Sequence, residues 1–500
     1  MNLCRMHALQ PRSNRDALEE ERAREPCAAA VSAMAAPMPP GCEVRFGLPG
    51  KGAGLFATSP CAAGATVFSD RPFFHVQHTG NRRMVAACAR CCAFVGPLGT
   101  QLATMFGEAR FQPLVEALQG AGAADGWQAQ VAGLPAACGV RCSQGCGELY
   151  CSERCRDEHF AHSHNLLCVG PITNEDHPLI KFKYHALEHA DTLLLAAQAM
   201  AFIINRARAA GGGAAATQGL VTELFGFCRG PFRDVCRAPP GRPKDAEFYA
   251  HTDALVAEAA MLLKAALEAQ APAEAAPLFE AGPALLSELL GLFELNNIDV
   301  EVPSPLAAPL AARGRMLASA ASAGDARAAA ELSLLERLLR EKEWLMRCVW
   351  GEETTGIYGD DEVAMGDDLS DAMLEKPEAE VTGAAMAEAR RQADAMSLEQ
   401  LLEAPWPALH GTALIPTVAR INHSCAPNLK VEFRSGDSAM CATALAPIQA
   451  GEEFSISYIL EEPDLQLRRK RLLEYGFNCA CDRCLREDSG SVRRAQRRLK

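Results

Sequence analysis

Four consecutive residues, Asn422 to Cys425, place an amide, an imidazole, a hydroxyl and a thiol side by side after the strand-like run IPTVARI. The first three groups can hydrogen-bond a ligand or a crossing backbone, and the thiol can ligate a metal ion. A further cysteine group, Cys479, Cys481 and Cys484, begins 54 residues downstream of Cys425. Three thiolates leave a tetrahedral zinc ion one donor short, so Cys425 is a candidate for the fourth. A shared ion would hold the C-terminal segment against the NHSC segment.

An earlier region holds a denser set of possible metal ligands. Its members are thiols and one imidazole, mostly with two to four residues between neighbours: Cys88, Cys91, Cys142, Cys146, Cys151, Cys155, His164 and Cys168. Eight such donors suffice for two tetrahedral zinc sites. Structural zinc contributes roughly 10 to 16 kcal/mol of apparent binding free energy, which a loop-rich segment with little core cannot replace. We therefore expect three zinc ions per chain and a segment that does not fold without metal.

Some ligand choices stay open at this stage. His162 competes with His164, which is favoured by its H-x3-C spacing to Cys168. Cys92 and Cys138 are competing thiol ligands. A reduced cysteine-rich loop is the alternative to bound metal.

Composition limits the partners and the compartment. The 500 residues carry a net charge of -13 with a pI near 5.5, which favours a basic partner over a phosphate backbone. The apolar stretch from Leu193 to Ile204 is too short for a membrane span, which takes about 20 residues. The acidic run DALEEERARE near the N-terminus disfavours a secretory or organelle signal. We expect the cytoplasm or the nucleus, where clustered cysteines indicate metal binding and not disulfides.

The segments that must position these residues alternate between strand-like and helix-like patterns. Residues 51–74 place glycines between β-rich runs, as in paired strands with turns. His177 to Arg208 and Asp245 to Leu295 carry apolar residues at helical intervals. Ala307 to Asp325 and Tyr358 to Ala395 are Ala-rich or acidic with few large apolar residues, which predicts solvated insertions.

The ordered motifs C-x2-C, C-x3-C-x4-C-x3-C and H-x3-C resemble the MYND zinc finger. With RINHSC, GEEFSISYI and the terminal C-x-C-x2-C, they resemble the SET- and MYND-domain (SMYD-type) protein-lysine methyltransferase family. The resemblance implies one zinc site of Cys88, Cys91, Cys151 and Cys155 and another of Cys142, Cys146, His164 and Cys168. The gap of about fifty residues between Cys91 and Cys142 departs from the family, whose fingers are shorter.

The fold implied by the resemblance is α+β, with a β-rich SET domain split by the inserted finger and a helical insert and followed by a zinc-bound post-SET tail. The implied boundaries are a disordered extension at 1–40, the first SET part at 41–87, the finger with a long internal insertion at 88–168, the helical insert at 169–345, an acidic and Ala-rich insertion at 346–405, the catalytic SET part at 406–460, the post-SET segment at 461–488 and a basic tail at 489–500. The chain is similar to the short branch and the trithorax-related plant members, so we expect no C-terminal helical repeat domain.

The resemblance also implies an activity and roles for individual residues. The activity is transfer of a methyl group from S-adenosylmethionine to a lysine of a basic protein such as a histone tail. Tyr458 corresponds to the active-site tyrosine, Tyr475 to a wall of the lysine channel, and Ser424 to a residue that satisfies nearby backbone groups. The implied cofactor contacts are Lys51, Gly52, Gly54, Asn296, Asn422, His423 and Phe477.

Each role has a structural alternative. Asn296 can belong to a turn, Phe477 can be plain packing, and the glycines can form a hairpin. A catalytically weak or inactive scaffold that binds proline-containing peptides through the finger is the main alternative function. No G-x-G-x-x-G follows a hydrophobic strand, which disfavours a Rossmann-type methyltransferase. The net charge disfavours direct nucleic-acid binding, despite the basic run from Arg493 to Lys500.

Overall fold

The computed structural model describes residues 38–488 apart from 49–50, 108–138, 225, 237, 239–242, 351–382, 435, 437, 460–463, 474 and 476. The predicted disordered extension therefore lies outside the described residues up to position 37, as does the basic tail at 489–500. Much of the two internal insertions also lies outside them. In the described residues the fold is α+β, as the sequence predicts.

The strands are short and form several small sheets. Their bounds are β1 Cys42–Leu48, β2 Gly52–Ala57, β3 Thr66–Asp70, β4 Phe74–Gln77, β5 Val140–Arg141, β6 Leu149–Tyr150, β7 Ile298–Val302, β8 Leu409–Leu414, β9 Asn422–His423, β10 Leu429–Phe433, β11 Met440–Ala444 and β12 Ser455–Ile456. Antiparallel pairing joins β1 with β2 and β5 with β6. In the two three-stranded antiparallel sheets, β8 lies between β4 and β7, and β11 lies between β10 and β3. The strands β9 and β12 pair in parallel, which brings the NHSC segment beside the SISY segment.

Most of the helices lie between β4 and β8 along the chain. Their bounds are α1 Leu98–Phe106, α2 Glu153–His159, α3 Pro178–His189, α4 Thr192–Ala209, α5 Ala214–Leu224, α6 Phe232–Val235, α7 Ala246–Glu268, α8 Ala284–Asn296, α9 Ala307–Ser322, α10 Ala326–Trp350, α11 Gly383–Ala395, α12 Leu398–Glu403 and α13 Leu465–Leu473. A π turn, Phe160–His164, continues α2 towards Asn165–Leu167. None of the helices in the described part of the chain combines the length and the apolar character needed to cross a bilayer.

Two large apolar cores hold these elements together. One core contains α4, α7 and α8, together with Phe74 of β4 and Leu414 of β8. The other core joins the strands of the C-terminal half with α9, α10 and α12, and it includes Tyr458 and Tyr475. In β7, buried and exposed residues alternate strictly, because one face of this strand packs on the core. A third, small cluster consists mainly of the finger cysteines with Val95 and Tyr150.

The prediction that Ala307 to Asp325 is a solvated insertion is wrong. Leu310, Gly314 and Leu317 of α9 are buried, and the two leucines belong to the core that contains Tyr458. A Cβ atom added to Gly314 would lie 2.4 Å from Leu402 Cδ2, so α9 approaches α12 very closely. Small residues allow this close approach, and their presence here reflects tight packing.

Candidate functional site

The four C-terminal cysteines meet at one point. The sulfur atoms of Cys425, Cys479, Cys481 and Cys484 all lie within 4.8 Å of one another, and those of Cys425 and Cys484 are 3.5 Å apart. A tetrahedral ion with Zn–S bonds of about 2.3 Å places its sulfurs about 3.8 Å apart, whereas a disulfide needs about 2.05 Å. Hydrogen bonding from Cys425 lowers the pKa of Cys479 below its usual value, which favours the thiolate, the form that ligates metal. This geometry fits a structural metal ion.

The finger holds two further groups of four donors. Cys88, Cys91, Cys151 and Cys155 form one group, and Cys142, Cys146, His164 and Cys168 form the other, each with ligand atoms within 4.8 Å of one another. The Sγ atom of Cys142 lies 3.3 Å from Nε2 of His164 and 3.8 Å from Sγ of Cys168. These groups are the two sets implied by the resemblance, in the same interleaved order.

The competing ligands lie elsewhere. The His162 ring packs against Phe202, with ring centroids 4.7 Å apart, and does not join either group. Cys92 is buried beside the finger but belongs to neither group, and Cys138 lies outside the described residues.

Local structure aims the finger ligands. The Ser152 hydroxyl accepts a hydrogen bond from the backbone N–H of Cys155 and caps the start of α2, which places Cys155 in the first helical turn. The backbone N–H of Cys92 donates to the Cys88 carbonyl and closes the turn that brings Cys88 and Cys91 together. The hairpin of β5 and β6 carries Cys142 and Cys151 on its flanks.

His423 connects the C-terminal cysteine group to the strand of Tyr458. Its Nδ1 atom accepts a hydrogen bond of 3.0 Å from the backbone N–H of Tyr458, and its Nε2 atom lies 3.2 Å from Sγ of Cys425. Because a backbone N–H can only donate, the neutral ring carries its proton on Nε2 and directs it at the sulfur. Such outer contacts orient metal ligands. Both ring nitrogens of His423 are therefore engaged within the protein.

Three further aromatic rings gather around His423. The Tyr458 ring centroid lies 5.2 Å from that of His423 and 5.8 Å from that of Tyr475, and the Phe477 centroid lies 5.8 Å from that of His423. The Tyr458 hydroxyl donates to the Ile421 carbonyl at 2.7 Å, and the Tyr475 hydroxyl donates to the Tyr458 carbonyl at 2.9 Å. Each phenol has a single proton, so both oxygens keep only acceptor capacity.

Asn422 holds the glycine-containing segment against this cluster. Its Nδ2 atom donates to the Ala53 carbonyl at 2.9 Å and to Glu453 Oε1 at 2.7 Å. The other oxygen of Glu453 pairs with Lys51 Nζ at 2.5 Å. A Cβ atom added to Gly54 would lie 2.9 Å from Asn422 Nδ2, so only glycine allows this approach. Gly52 has a positive φ of 71°, which favours glycine as well.

The remaining predicted residues fit into the frame of the site. Asn296 is 1% exposed at the end of α8 and donates to the carbonyls of Cys228 and Leu292 at 2.8 and 2.6 Å. Ser424 exchanges hydrogen bonds with the backbone of Ala426, as expected for a residue that satisfies a crossing. The structure thus uses the donors of Asn296 internally.

Three charged residues at the site were missed by the sequence interpretation. Glu453 lies in the quoted GEEFSISYI motif, but its position in the motif gives no hint of its two partners. Arg468 lies in the basic helix α13, yet it is 1% exposed and donates to Glu487 and to Cys484 Sγ. Arg420 precedes the NHSC segment and stacks on Phe227.

Comparison with known proteins adds an independent finding. Residues 319–459 match the family model of the SET domain. The histone-lysine N-methyltransferase ATXR2 of Arabidopsis thaliana is 29% identical over 71% of this chain, and the chain spans only 63% of that protein. The protein-lysine N-trimethyltransferase SMYD5 of Mus musculus is 25% identical over 89% of this chain and 86% of its own length. A SET and MYND domain-containing protein of Dictyostelium discoideum is 42% identical over 15% of this chain and 22% of its own length.

Proposed function

We propose that this chain, in which residues 319–459 match the SET domain, is a protein-lysine N-methyltransferase of the SMYD type that uses S-adenosylmethionine. The observation that carries the proposal is the joining of three parts. The cysteine group around Cys425, the aromatic cluster around Tyr458 and the segment from Lys51 to Gly54 all meet at Asn422 and His423. A bound cofactor would supply an activated methyl group on a sulfonium.

The aromatic cluster suits the substrate side of such a reaction. A lysine amine with a pKa near 10.4 is protonated at neutral pH, and burial between apolar rings favours its neutral form. Tyr458 and Tyr475 are 2% and 5% exposed, and their fixed hydroxyls present acceptor oxygens. We assign Tyr458 to orient the amine and Tyr475 to wall the channel. Positioning of this kind supplies most of the rate enhancement in a direct displacement.

The cofactor would bind at the segment from Lys51 to Gly54 and at the residues that hold this segment. We assign Lys51, Gly52 and Gly54 to the backbone cradle, Asn422 and His423 to its support, and Phe477 to stacking on the adenine. Asn296 borders the same region through its bond to Cys228. We further assign zinc to the three groups of four ligands, because thiolate and imidazole donors at these distances suit that ion.

The relatives suggest the class of substrate. Two of them are named as lysine methyltransferases, one of them for histones. We propose a basic protein substrate such as a histone tail, in keeping with the net charge of -13, and a place in the nucleus or the cytoplasm. We also propose that the finger is a second binding site, for proline-containing peptides.

A labelled-methyl assay tests the proposal. The purified chain is incubated with S-adenosylmethionine carrying a labelled methyl group and with a panel of histones and ribosomal proteins. We expect label on lysine, and we expect Tyr458→Phe to lower the rate about a hundredfold because the amine loses its orientation. Tyr184→Phe is the control, since Tyr184 is 52% exposed on α3. Absence of cofactor binding would favour the scaffold, and full transfer by Tyr458→Phe would remove Tyr458 from the mechanism.

A further inference from the structure

Strand β3 lies at the edge of the three-stranded sheet in which β11 is central. Its residues Thr66 to Asp70 pair with β11 on one side only. Among the described residues, no backbone–backbone hydrogen bond joins β3 to any other element. In an antiparallel pair, alternate residues direct both their N–H and their C=O groups away from the partner strand. The outer side of β3 therefore presents backbone groups with which a further strand can pair.

A cavity of about 350 Å³ lies beside this edge. It is lined by residues 67–70 of β3 and by Pro39 and Pro40. The prolines have no backbone N–H, so this wall of the cavity adds no donors of its own. Val67 is half-buried and Phe68 is 5% exposed, and both give the cavity an apolar surface. A volume of this size next to free backbone groups suits an extended peptide.

Asp70 brings a negative charge to the same cavity. The carboxylate is half-buried, and its Oδ1 and Oδ2 atoms accept hydrogen bonds from the backbone N–H groups of Arg71 and Thr417 at 2.8 and 3.4 Å. Within the described part of the chain, no basic side chain pairs with this carboxylate. The guanidinium of Arg71 donates instead to Ser438 Oγ at 2.7 Å. Each carboxylate oxygen can accept a second hydrogen bond, so Asp70 can still bind a cation.

We propose that the edge of β3 binds an extended segment of a basic partner protein as an additional strand, with a lysine or arginine of that segment beside Asp70. Main-chain hydrogen bonds supply affinity in this mode of recognition, and side-chain contacts supply specificity. Phe68 and Asp70 are two residues apart on one face of β3, so the segment should carry an apolar and a basic residue two positions apart. The net charge of -13 favours the approach of such a partner. The inference does not depend on the proposed function, because binding needs no methyl donor.

A synthetic peptide tests the role of Asp70. The probe is a labelled heptapeptide of threonines with valine at its third and arginine at its fifth position, titrated with the full zinc-loaded chain and followed by fluorescence anisotropy. We expect Asp70→Asn to weaken its binding about threefold to tenfold, because a charge-assisted contact is lost. A second peptide with citrulline in place of arginine has the same shape without the charge. Its affinity should change less than about twofold in Asp70→Asn, whereas a misfolded variant would lose both peptides.

Asp299→Asn is the matched control for charge. Asp299 is exposed on β7, which is also the edge strand of a three-stranded sheet but does not line the cavity. This variant should bind both peptides as the unaltered chain does. Equal weakening of the arginine peptide by Asp70→Asn and Asp299→Asn would mean that only net charge attracts it, and would overturn the inference.

Backbone methylation tests the addition of a strand. One arginine peptide is N-methylated at its odd positions and another at its even positions. Because alternate residues of a strand direct their N–H groups to the same neighbour, we expect one of the two peptides to bind about tenfold or more weakly and the other to bind nearly unchanged. The unmethylated peptide should slow amide hydrogen exchange in β3 and not in β7.

Four results would contradict the proposal. They are equal binding of the two methylated peptides, slowed exchange in β7 in place of β3, and no binding of the arginine peptide up to about 1 mM. The fourth is that the amides of β3 in the free chain exchange as slowly as those of β11, which would show that another part of the chain or a second copy already covers this edge. Each of them leaves the proposed methyl transfer standing, since none of these measurements includes the methyl donor.

Discussion

His423 hydrogen-bonds to both the strand of Tyr458 and the sulfur of Cys425, so its two nitrogens can be tested separately. Asparagine places an oxygen near the position of Nδ1, and glutamine places an amide nitrogen near that of Nε2. His423→Asn keeps the acceptor for Tyr458 but loses the donor to Cys425, and loss of such an outer donor lowers metal affinity by about tenfold or more. We therefore expect His423→Asn to release its most labile zinc ion to a chelator about tenfold or more faster than His423→Gln does. Equal release rates would show that the contact with Cys425 does not hold the metal.

Gly54 gives a second test at single-residue scale. An added Cβ would meet Leu48 Cδ1 at 2.8 Å and Asn422 Nδ2 at 2.9 Å, so Gly54→Ala must push the glycine segment away from Asn422. We expect affinity for S-adenosylhomocysteine to fall by about tenfold or more, since a displaced cradle loses its aligned backbone contacts. Gly99→Ala is the control, because a Cβ there meets nothing within 4 Å. Unchanged affinity in Gly54→Ala would mean that the segment does not contact the cofactor.

At the scale of elements, α10 and α12 are joined by an unusual buried lysine. Lys342 is fully buried and donates to the carbonyls of Ala404 and Pro405 at 3.2 and 2.9 Å, while it pairs with Glu343 at 2.7 Å. In Lys342→Met, the carbonyls of Ala404 and Pro405 lose their donor and the carboxylate of Glu343 loses its ammonium partner. We expect the free energy of unfolding to fall by about 3 kcal/mol, as when a buried ion pair is broken.

Urea denaturation and hydrogen exchange in α12 measure this loss. The control is Lys430→Met, whose exposed pair with Glu432 should matter little. Similar midpoints for the two variants would show that Lys342 does not stabilise the junction of α10 and α12.

The same junction shows where sequence patterns stop being informative. Spacing within one helix predicts that α4, α7 and α8 are packed, because their large apolar residues recur at helical intervals. The pattern fails for α9, whose Gly314 packs against Leu402 from a distant part of the chain. Small residues look alike at a tight interface and on a solvated surface, so only the partner element distinguishes the two.

Across the whole molecule, the metal groups were the most predictable part of the site. The bite of one ion fixes the spacing of its nearest ligands, so C-x2-C and H-x3-C carry local information. Even the distant Cys425 could be placed, because the terminal three thiols lack a fourth donor. The partners of Glu453, Arg420 and Arg468 could not be placed in this way. They depend on how separate segments cross, and single charged residues carry no spacing that records such a crossing.

The groups of candidate metal ligands belong to different apolar cores, so we expect the loss of different ions to have different consequences. Cys484 and Cys425 are part of the large core that contains Tyr458, whereas Cys88 belongs to the small cluster of finger cysteines. Cys88 and Cys484 are equally buried at 1% exposure, so their serine variants form a matched pair.

We expect each variant to lose about one of three zinc ions by metal analysis. Cys484→Ser should also abolish calorimetric binding of S-adenosylhomocysteine, because the segment that holds His423 and Phe477 loses its clamp. Cys88→Ser should retain that binding and instead expose the finger to proteolysis. Loss of cofactor binding to the same extent in both variants would mean that finger and pocket fold as one unit, contrary to the separation of their cores.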